Sequence, residues 1–194
     1  MVRSRRTPGV RDYVRTDRAF LERGVLALLK DEAPFDPLRL IVPPSWWGKT
    51  HSQYLLSEVR KGSGHMLVAQ EGRKRIGFAV GARQPTPRGK SRAFDPSRRP
   101  CCIYALYVAP DYCRGGVGTL LMDAVEARLR AQGCDLAHMV GLAGNVPSRT
   151  LYRARGYAER VLWWAKWLNP PLRPQSRGQW THRSGAAAST GPES

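Results

Sequence analysis

The chain has 194 residues, of which 42% are hydrophobic, and this predicts one folded domain with room for a tail and argues against wholesale disorder. Lys and Arg number 32 against 15 Asp and Glu, and the resulting net charge of +17 favours an anionic ligand or partner over a polycationic substrate. No apolar run reaches the length of a membrane span, and four cysteines without a Cys-x-x-Cys pair argue against a disulfide framework or a structural zinc site; a cytoplasmic protein without a metal is expected.

Hydrophobic periodicity divides most of the chain into strands and helices. In chain order it predicts a strand over residues 9–14, helices over 18–30 and 50–61, a hairpin of strands over 65–70 and 76–80, a strand over 101–108, a helix over 119–131, a strand over 136–142, a helix over 147–155 and a strand over 157–168. Because a hairpin is combined with strands that alternate with helices, the order predicts an α/β fold with a mixed sheet.

Two segments lack this periodicity. Residues 82–100 combine four prolines with clustered basic side chains, which predicts a solvated loop; a contact surface for an anionic partner is the alternative. Residues 169–194 predict a disordered basic tail, so that the folded domain would span residues 1–168. In the last predicted strand, Trp163, Trp164 and Trp167 alternate, which predicts one core face and one face toward a cleft.

Residues 107–121 read YVAPDYCRGGVGTLL, a strand end, a glycine-rich turn and a helix start. Gly115, Gly116 and Gly118 let backbone N–H groups approach an anion, and the helix N-terminus adds unsatisfied donors and a partial positive charge. The pattern suits a pyrophosphate; the alternative is a tight turn that needs glycine only for its dihedral angles. Neither the third glycine of the dinucleotide fingerprint nor the Gly-Lys-Ser/Thr of a P-loop is present.

Residues 145–157 form the second segment whose residue types suggest a functional role. Asn145 stands at a strand-to-helix junction, where its amide can reach a ligand beside the sheet. Tyr152 lies one turn beyond Ser148 on the same helix face, and Gly156-Tyr157 closes the segment. In the alternative interpretation Asn145 only caps the helix and Tyr152 is a half-buried packing residue.

Together, the two segments resemble the GNAT superfamily of acetyl-CoA-dependent N-acetyltransferases. In that family a strand similar to Leu106-Tyr107-Val108 precedes an Arg/Gln-x-x-Gly-x-Gly/Ala loop, which corresponds here to residues 113–118. An Asn-x-x-Ala-x-x-Leu-Tyr motif follows, which corresponds to residues 145–152. The two motifs cover residues 101–168, and the order of the upstream elements extends the resemblance to the first strand.

The resemblance implies a mixed, centrally splayed sheet flanked by helices, with the splay between strands 101–108 and 136–142. The pantetheine arm of acetyl-CoA would pair with the backbone of Leu106 and Val108, and the glycine loop would hold the pyrophosphate. Tyr152 would be catalytic and would protonate the thiolate that leaves when an amine attacks the thioester directly, a scheme that needs no metal. The implied acetyl-CoA-binding residues are Leu106, Tyr107, Val108, Cys113, Arg114, Gly115, Gly116, Val117, Gly118, Thr119, Asn145, Ser148 and Tyr152.

The chain departs from the family pattern at three points. Cys113 stands where Arg or Gln is usual, and Ser148 replaces the usual Ala, a change of one small residue for another. The stretch 104–106 lacks the carboxylate that many members carry as a base. His51, Glu58 and His138 are candidates without a positional argument, so no base is assigned; for His138 a hydrogen-bonded sheet histidine is favoured.

The sequence therefore predicts an N-acetyltransferase that moves an acetyl group from acetyl-CoA to a primary amine in a ternary complex. Two alternatives remain open: a basic nucleic-acid- or ribosome-associated protein on the same fold, and a non-catalytic acyl-CoA sensor. The expected partners are acetyl-CoA and an amine, with weak non-specific nucleic-acid contact from the charge, no membrane, and a monomer or homodimer. The identity of the amine and the acyl-chain preference do not follow from the sequence.

Overall fold

The computed structural model describes residues 7–85, 97–161 and 163–168. Two compact units are distinguished, Met1–Leu162 and Trp163–Ser194, and the elements below belong to the first. They are β1 (Gly9–Asp12), α1 (Arg18–Glu32), α2 (Trp47–Lys61), β2 (His65–Glu71), β3 (Lys74–Arg83), β4 (Pro100–Val108), α3 (Val117–Ala131), β5 (Leu136–His138) and α4 (Val146–Ala154). The predicted tail, residues 169–194, and residues 86–96 of the predicted basic loop lie outside the described residues.

The strands form one mixed sheet in the order β1-β2-β3-β4-β5. The first three pairings are antiparallel and the pairing of β4 with β5 is parallel. This confirms the predicted mixed α/β sheet, since a hairpin joins β2 to β3 whereas the connection from β4 to β5 passes through α3.

Two apolar layers cover the sheet, one on each face. On one face α3 buries a stripe at helical spacing, in which Leu121, Val125 and Leu129 pack on Leu67 and Ile76. On the other face α1 and α2 bury Leu21, Val25 and Leu55 against Phe78 and Val80. The two faces are called the α3 face and the α1/α2 face below.

The pairing between β4 and β5 is short. It includes only residues 136–138 of β5 and ends at the pair Cys102–His138. Just beyond this point, Tyr104 is an extra residue in β4: Val80 of β3 faces Ala105 and Gly81 faces Ile103, a β-bulge. A bulge increases local twist and bends its strand, and β4 and the chain that follows His138 are not paired beyond this point. The unpaired region between them is called the cleft.

Two predicted strands are wrong in part or whole. The strand predicted over residues 136–142 ends at His138, where the pairing with β4 also ends, and Val140 is exposed. The strand predicted over 157–168 is absent from the described residues of that segment. An isolated strand leaves its backbone groups unpaired, and no described strand pairs with this one. Trp163 and Trp164 are exposed, so the core face predicted for the tryptophans is also wrong.

A buried carboxylate fastens the first strand and the first helix to the sheet. Asp17, which directly precedes α1, is fully buried and accepts two hydrogen bonds from the Arg11 guanidinium of β1, at 2.6 and 2.9 Å. Arg75 of β3 also donates to it, as does the Val14 N–H at 2.9 Å. These hydrogen bonds, above all those from Arg11, hold the pKa of Asp17 well below its usual range. The carboxylate thus joins β1, β3 and the start of α1.

We predict that Asp17→Asn lowers the free energy of unfolding by about 2 kcal/mol at pH 7, less than the roughly 3–5 kcal/mol for breaking a fully buried ion pair, because both guanidinium groups are partly solvated. Because the pKa of Asp17 is lowered on folding, its contribution is complete above about pH 5 and is lost as the pH falls through the unfolded value near 4 toward the folded one. Urea denaturation from pH 7 down to pH 3 measures both effects.

Asp12→Asn is the matched control, because Asp12 meets Arg128 at 3.2 Å in an exposed ion pair. We expect it to change the free energy of unfolding by less than about 0.5 kcal/mol at any pH in that range. A difference between wild type and Asp17→Asn that stays constant down to pH 3 would contradict the role given to the buried carboxylate.

Candidate functional site

A turn of exposed residues joins the end of β4 to α3. Gly116 is the N-cap of α3 and has φ +79°, and Arg114 also adopts a left-handed conformation at φ +62°. Glycine takes this conformation without Cβ strain. Leu120 donates a hydrogen bond to the Gly116 carbonyl oxygen at 3.0 Å, so the N–H groups of residues 117–119 precede the helical ladder. These N–H groups and the positive end of the helix dipole suit an anion.

The turn is anchored to the β2–β3 hairpin through Tyr112. The Tyr112 hydroxyl donates a hydrogen bond to Glu71 at 2.9 Å. The Lys74 ammonium lies 4.8 Å from the centre of the same ring, within cation–π range. Two side chains of one hairpin therefore fix the residue that leads into the glycine loop.

The other loop residues differ in exposure. The Cys113 thiol lies 3.8 Å from the carbonyl oxygen of Val108 and 3.7 Å from that of Ala109, to which it donates weakly. Val117 is buried and packs in the core of the α3 face. The exposed residues of the loop and first helical turn are Cys113, Arg114, Gly115, Gly116 and Thr119.

The end of β4 presents backbone to the cleft. Leu106 and Val108 pack on the core of the α3 face, whereas Tyr107 points to the α1/α2 face, where its ring centre lies 5.3 Å from that of Phe78. Burial raises the pKa of Tyr107, consistent with a packing role. Among the described residues no strand pairs with the cleft side of β4 beyond Cys102. This stretch can therefore accept an extended ligand as an added strand.

The helix α4 begins at Asn145, whose Oδ1 accepts a hydrogen bond from the Ser148 N–H at 3.2 Å. The capping interpretation of Asn145 therefore holds for its oxygen, while the Nδ2 group can still donate to a ligand. A Cβ at Gly118 would lie 3.6 Å from Leu151 and 3.8 Å from Val108. Both sequence motifs and the end of β4 thus meet at Gly118.

Tyr152 lies half-buried on α4. A Cβ at Gly141 would be 3.9 Å from its ring, and the Tyr157 ring is 6.1 Å away in an edge-on arrangement. Burial raises the pKa of Tyr152, a hydrogen bond with Ser148 lowers it, and the negative charge of Glu32 raises it; the net direction is upward. The phenol is therefore protonated at neutral pH and can donate a proton.

A cluster of polar side chains lies at the closed end of the cleft, next to the last pair of β4 and β5. The sequence did not indicate that these residues meet. The Tyr104 hydroxyl, on the bulge residue of β4, donates to Glu58 of α2 at 3.0 Å, and Gln84 donates to Tyr104 at 3.3 Å. Trp47, His51, Tyr54 and Glu58 follow one another on one face of α2. That spacing was the available signal, but the helix was predicted to start at residue 50, which excluded Trp47.

His138, the last residue of β5, faces the same side of the sheet as its partner Cys102. Its buried Nδ1 has no hydrogen-bond partner among the described residues, so the expected hydrogen-bonded sheet histidine is wrong for this nitrogen. Burial and the positive charge of Arg160 lower the pKa of His138, which keeps the ring neutral at pH 7.

The described residues contain neither a metal-binding cluster nor a membrane-spanning helix. No group of three or more His, Cys, Asp or Glu side chains in that part of the chain could hold a metal ion. Nor is any helix within it long and apolar enough to cross a membrane.

The chain matches the family model described as the acetyltransferase (GNAT) family over residues 27–157. No curated protein matches it in sequence.

Solved structures share its fold. A GCN5-related N-acetyltransferase from Ralstonia eutropha superimposes with a TM-score of 0.63 at 21% identity, covering 82% of this chain and 98% of that one. An aminoglycoside N-acetyltransferase in complex with CoA has a TM-score of 0.60 at 18% sequence identity, covering 86% of this chain and 99% of that one. A predicted acetyltransferase with acetyl-CoA from Clostridium acetobutylicum has a TM-score of 0.64 at 17% identity, covering 86% of this chain and 100% of that one.

Proposed function

The chain belongs to the GNAT family of acetyltransferases, and we propose that it transfers the acetyl group of acetyl-CoA to the nitrogen of a primary amine. The activity is assigned to residues 1–168. One observation carries the proposal: the unpaired edge of β4 leads directly to the glycine-rich turn at the N-terminus of α3. An extended thioester with a pyrophosphate at its far end matches both features. The names of two structures with the same fold, which include CoA and acetyl-CoA, support the choice of ligand.

In the proposed complex the pantetheine arm pairs with the backbone of Leu106 and Val108, as a strand added to β4. The N–H groups of residues 114 and 116–119 hold the pyrophosphate, and the Arg114 guanidinium adds positive charge. The Gly115 N–H already donates to the Tyr112 carbonyl oxygen at 3.3 Å. Tyr107 and Val117 contribute backbone alone, because their side chains are buried. Asn145 donates its Nδ2 group to the pantetheine, and Ser148 is a small residue at the start of α4.

The proposed reaction is direct transfer. The lone pair of the neutral amine attacks the thioester carbonyl, the C–N bond forms, the C–S bond breaks, and the nitrogen loses one proton to solvent or a base. The departing thiolate takes a proton from the Tyr152 hydroxyl, which is later reprotonated from solvent. Tyr152 is assigned this role because its ring lies beside Gly141, in the chain that follows β5 at the cleft, and its phenol is protonated at neutral pH.

Gly116→Glu tests the phosphate site. The carboxylate would stand among N–H groups that would otherwise bind the pyrophosphate, and repulsion should weaken acetyl-CoA binding by about 100-fold or more. Isothermal titration calorimetry measures the dissociation constant.

Gly133→Glu is the control for that substitution, because Gly133 also has a left-handed backbone (φ +82°) but lies beyond the other end of α3. It introduces the same charge and the same strain away from the turn, so acetyl-CoA affinity should be unchanged. Equal effects of the two substitutions would show that the glycine loop does not hold the phosphates.

Tyr152→Phe tests the general acid. We expect kcat to fall roughly 10- to 1,000-fold, at or below the usual effect of one acid–base group because a thiol already leaves readily. Acetyl-CoA affinity should change little, since the ring remains. Steady-state kinetics with a panel of amines measures kcat, and calorimetry measures the affinity.

Tyr157→Phe is the matched control: it removes a hydroxyl that donates to Glu126 at 3.1 Å, from a ring that neighbours Tyr152. This variant should keep the wild-type kcat. A Tyr152→Phe enzyme with wild-type kcat would overturn the assignment, and early melting of that variant would support a packing role. Acetyl-CoA binding without turnover of any amine would favour the acyl-CoA sensor instead.

A further inference from the structure

The two faces of the sheet differ in chemistry at the cleft. On the α3 face the cleft is closed by apolar side chains, among them Leu106, Val108 and Met139, which pack on the core. On the α1/α2 face the closed end of the cleft carries Glu58, Tyr104 and the unpartnered Nδ1 of His138. The polar side chains described at this end of the cleft therefore lie on the α1/α2 face, where they can contact a polar substrate.

The direction of the cleft sets which end of the cofactor meets this polar group. The anion-binding turn follows the C-terminal end of β4, and the bulge at Tyr104 lies toward the other end of that strand. If the pyrophosphate lies at the turn, as the proposed function requires, the thioester points toward Tyr104. Glu58 and the reacting carbonyl are then at the same end of the cleft.

Glu58 already holds an ammonium group. Its Oε1 atom lies 2.9 Å from the Lys61 Nζ, and its Oε2 atom accepts the hydrogen bond from Tyr104. These two partners, Lys61 first, lower the pKa of Glu58, so the carboxylate is ionised at neutral pH. The Lys61 side chain is 72% exposed, which makes this a surface ion pair of small net free energy. Another ammonium can replace it at little cost.

Aromatic rings lead along α2 to this carboxylate. The Trp47 and His51 rings stack with centres 5.2 Å apart, His51 and Tyr54 are 5.3 Å apart, and Tyr54 meets Tyr104 edge-on at 6.2 Å. Tyr54 is 45% exposed, so part of its ring is open to a ligand. Burial lowers the pKa of His51, which leaves its ring neutral and suited to stacking. The stripe is defined by Trp47, His51, Tyr54 and Tyr104.

We propose that the acceptor is a primary amine that carries an aromatic ring, bound with its ammonium group on Glu58 and its ring against the aromatic stripe. The bound ammonium loses one proton to solvent before the neutral nitrogen attacks the thioester. The inference rests on the proposed function for the position of the thioester, but the binding site itself is defined by contacts of this chain. The site offers one carboxylate beside apolar rings, so it matches one positive charge joined to one flat apolar group. A polyamine or an aminoglycoside would leave further charges facing a protein of net charge +17.

Equilibrium binding to the full chain saturated with CoA tests the site without requiring turnover. The probe is 2-phenylethylamine, with hexylamine and spermidine as comparisons, and calorimetry gives the dissociation constants. We expect 2-phenylethylamine to bind about fivefold more tightly than hexylamine, because ring contacts add to the burial of apolar area. Binding of spermidine that equals or exceeds that of 2-phenylethylamine would overturn the proposal.

Two substitutions should act in opposite directions. Glu58→Gln keeps a hydrogen-bond acceptor for Tyr104 but removes the charge, and it should weaken 2-phenylethylamine binding by about two- to fivefold. Lys61→Met removes the competing ammonium and should strengthen binding roughly two- to fivefold. Loss of a structural ion pair would not give this opposition, so changes of the same sign, or no change, would refute the site.

One further variant tests the contribution of the aromatic ring to binding, and a second serves as the control for the loss of a carboxylate. Tyr54→Leu should weaken binding of 2-phenylethylamine by roughly two- to tenfold and leave hexylamine unchanged. Glu22→Gln is the control, because Glu22 forms a comparable 2.9 Å ion pair with Arg18 on α1, and it should not affect either amine. A Glu22→Gln effect as large as that of Glu58→Gln would refute the assignment.

Turnover assays distinguish failure of this proposal from failure of the proposed function. Binding of 2-phenylethylamine through Glu58 without its acetylation would support the site and refute the function. Acetylation of other amines, with 2-phenylethylamine binding indifferent to Glu58, would support the function and refute the site.

Discussion

One additional residue in β4 shapes the region on which both proposals depend. Because Tyr104 has no partner in β3, the strand bends at the point where β5 begins to separate from it. Without the bulge, a regular parallel pairing of β4 and β5 would bring the two backbones into continuous hydrogen bonding. The cleft would then have no free donors and acceptors to offer a ligand. The same residue sends its hydroxyl to Glu58, so it also brings α2 to the cleft.

The buried carboxylate of Asp17 has a complementary role at the other side of the sheet. β1 is only four residues long and is an edge strand, and such a strand gains little from its ladder hydrogen bonds alone. The bonds from Arg11 and Arg75 add a link that spans β1 and β3 and reaches the start of α1. The layer that carries α2 and its aromatic residues is therefore supported by α1, which the carboxylate fastens in place.

Elements whose structure depends mainly on neighbouring residues could be predicted from the sequence. The predicted α3 differs from the observed helix by two residues at its start, because its apolar spacing is regular and Gly133 follows its end. The extent of β5 could not be predicted, since it depends on a bulge in another strand. The segment 157–168 has a strand-like pattern, but a strand needs a partner that its own residues do not specify.

The candidate site also has parts that local motifs predict and parts that depend on contacts between residues far apart in the sequence. The glycine loop and α4 are each formed by consecutive residues, so motifs could predict them as a candidate site. The pairs Glu58–Tyr104 and Asp17–Arg75 join residues 46 and 58 positions apart, and no local pattern signals such contacts. Tyr107 illustrates a further limit: its strand is correctly predicted, yet only the structure shows that its side chain belongs to the core rather than to the cleft.

The contacts of Tyr112 have a thermodynamic consequence for ligand association. Because Glu71 and Lys74 hold this ring, the backbone that leads into the glycine loop is ordered before a phosphate arrives. A flexible loop would lose conformational entropy on association, at about 1–2 kcal/mol for each residue immobilised. In the proposed complex part of that loss would already have occurred during folding, so a larger share of the phosphate contact energy would remain as affinity. The hairpin would then contribute to recognition through pre-organisation.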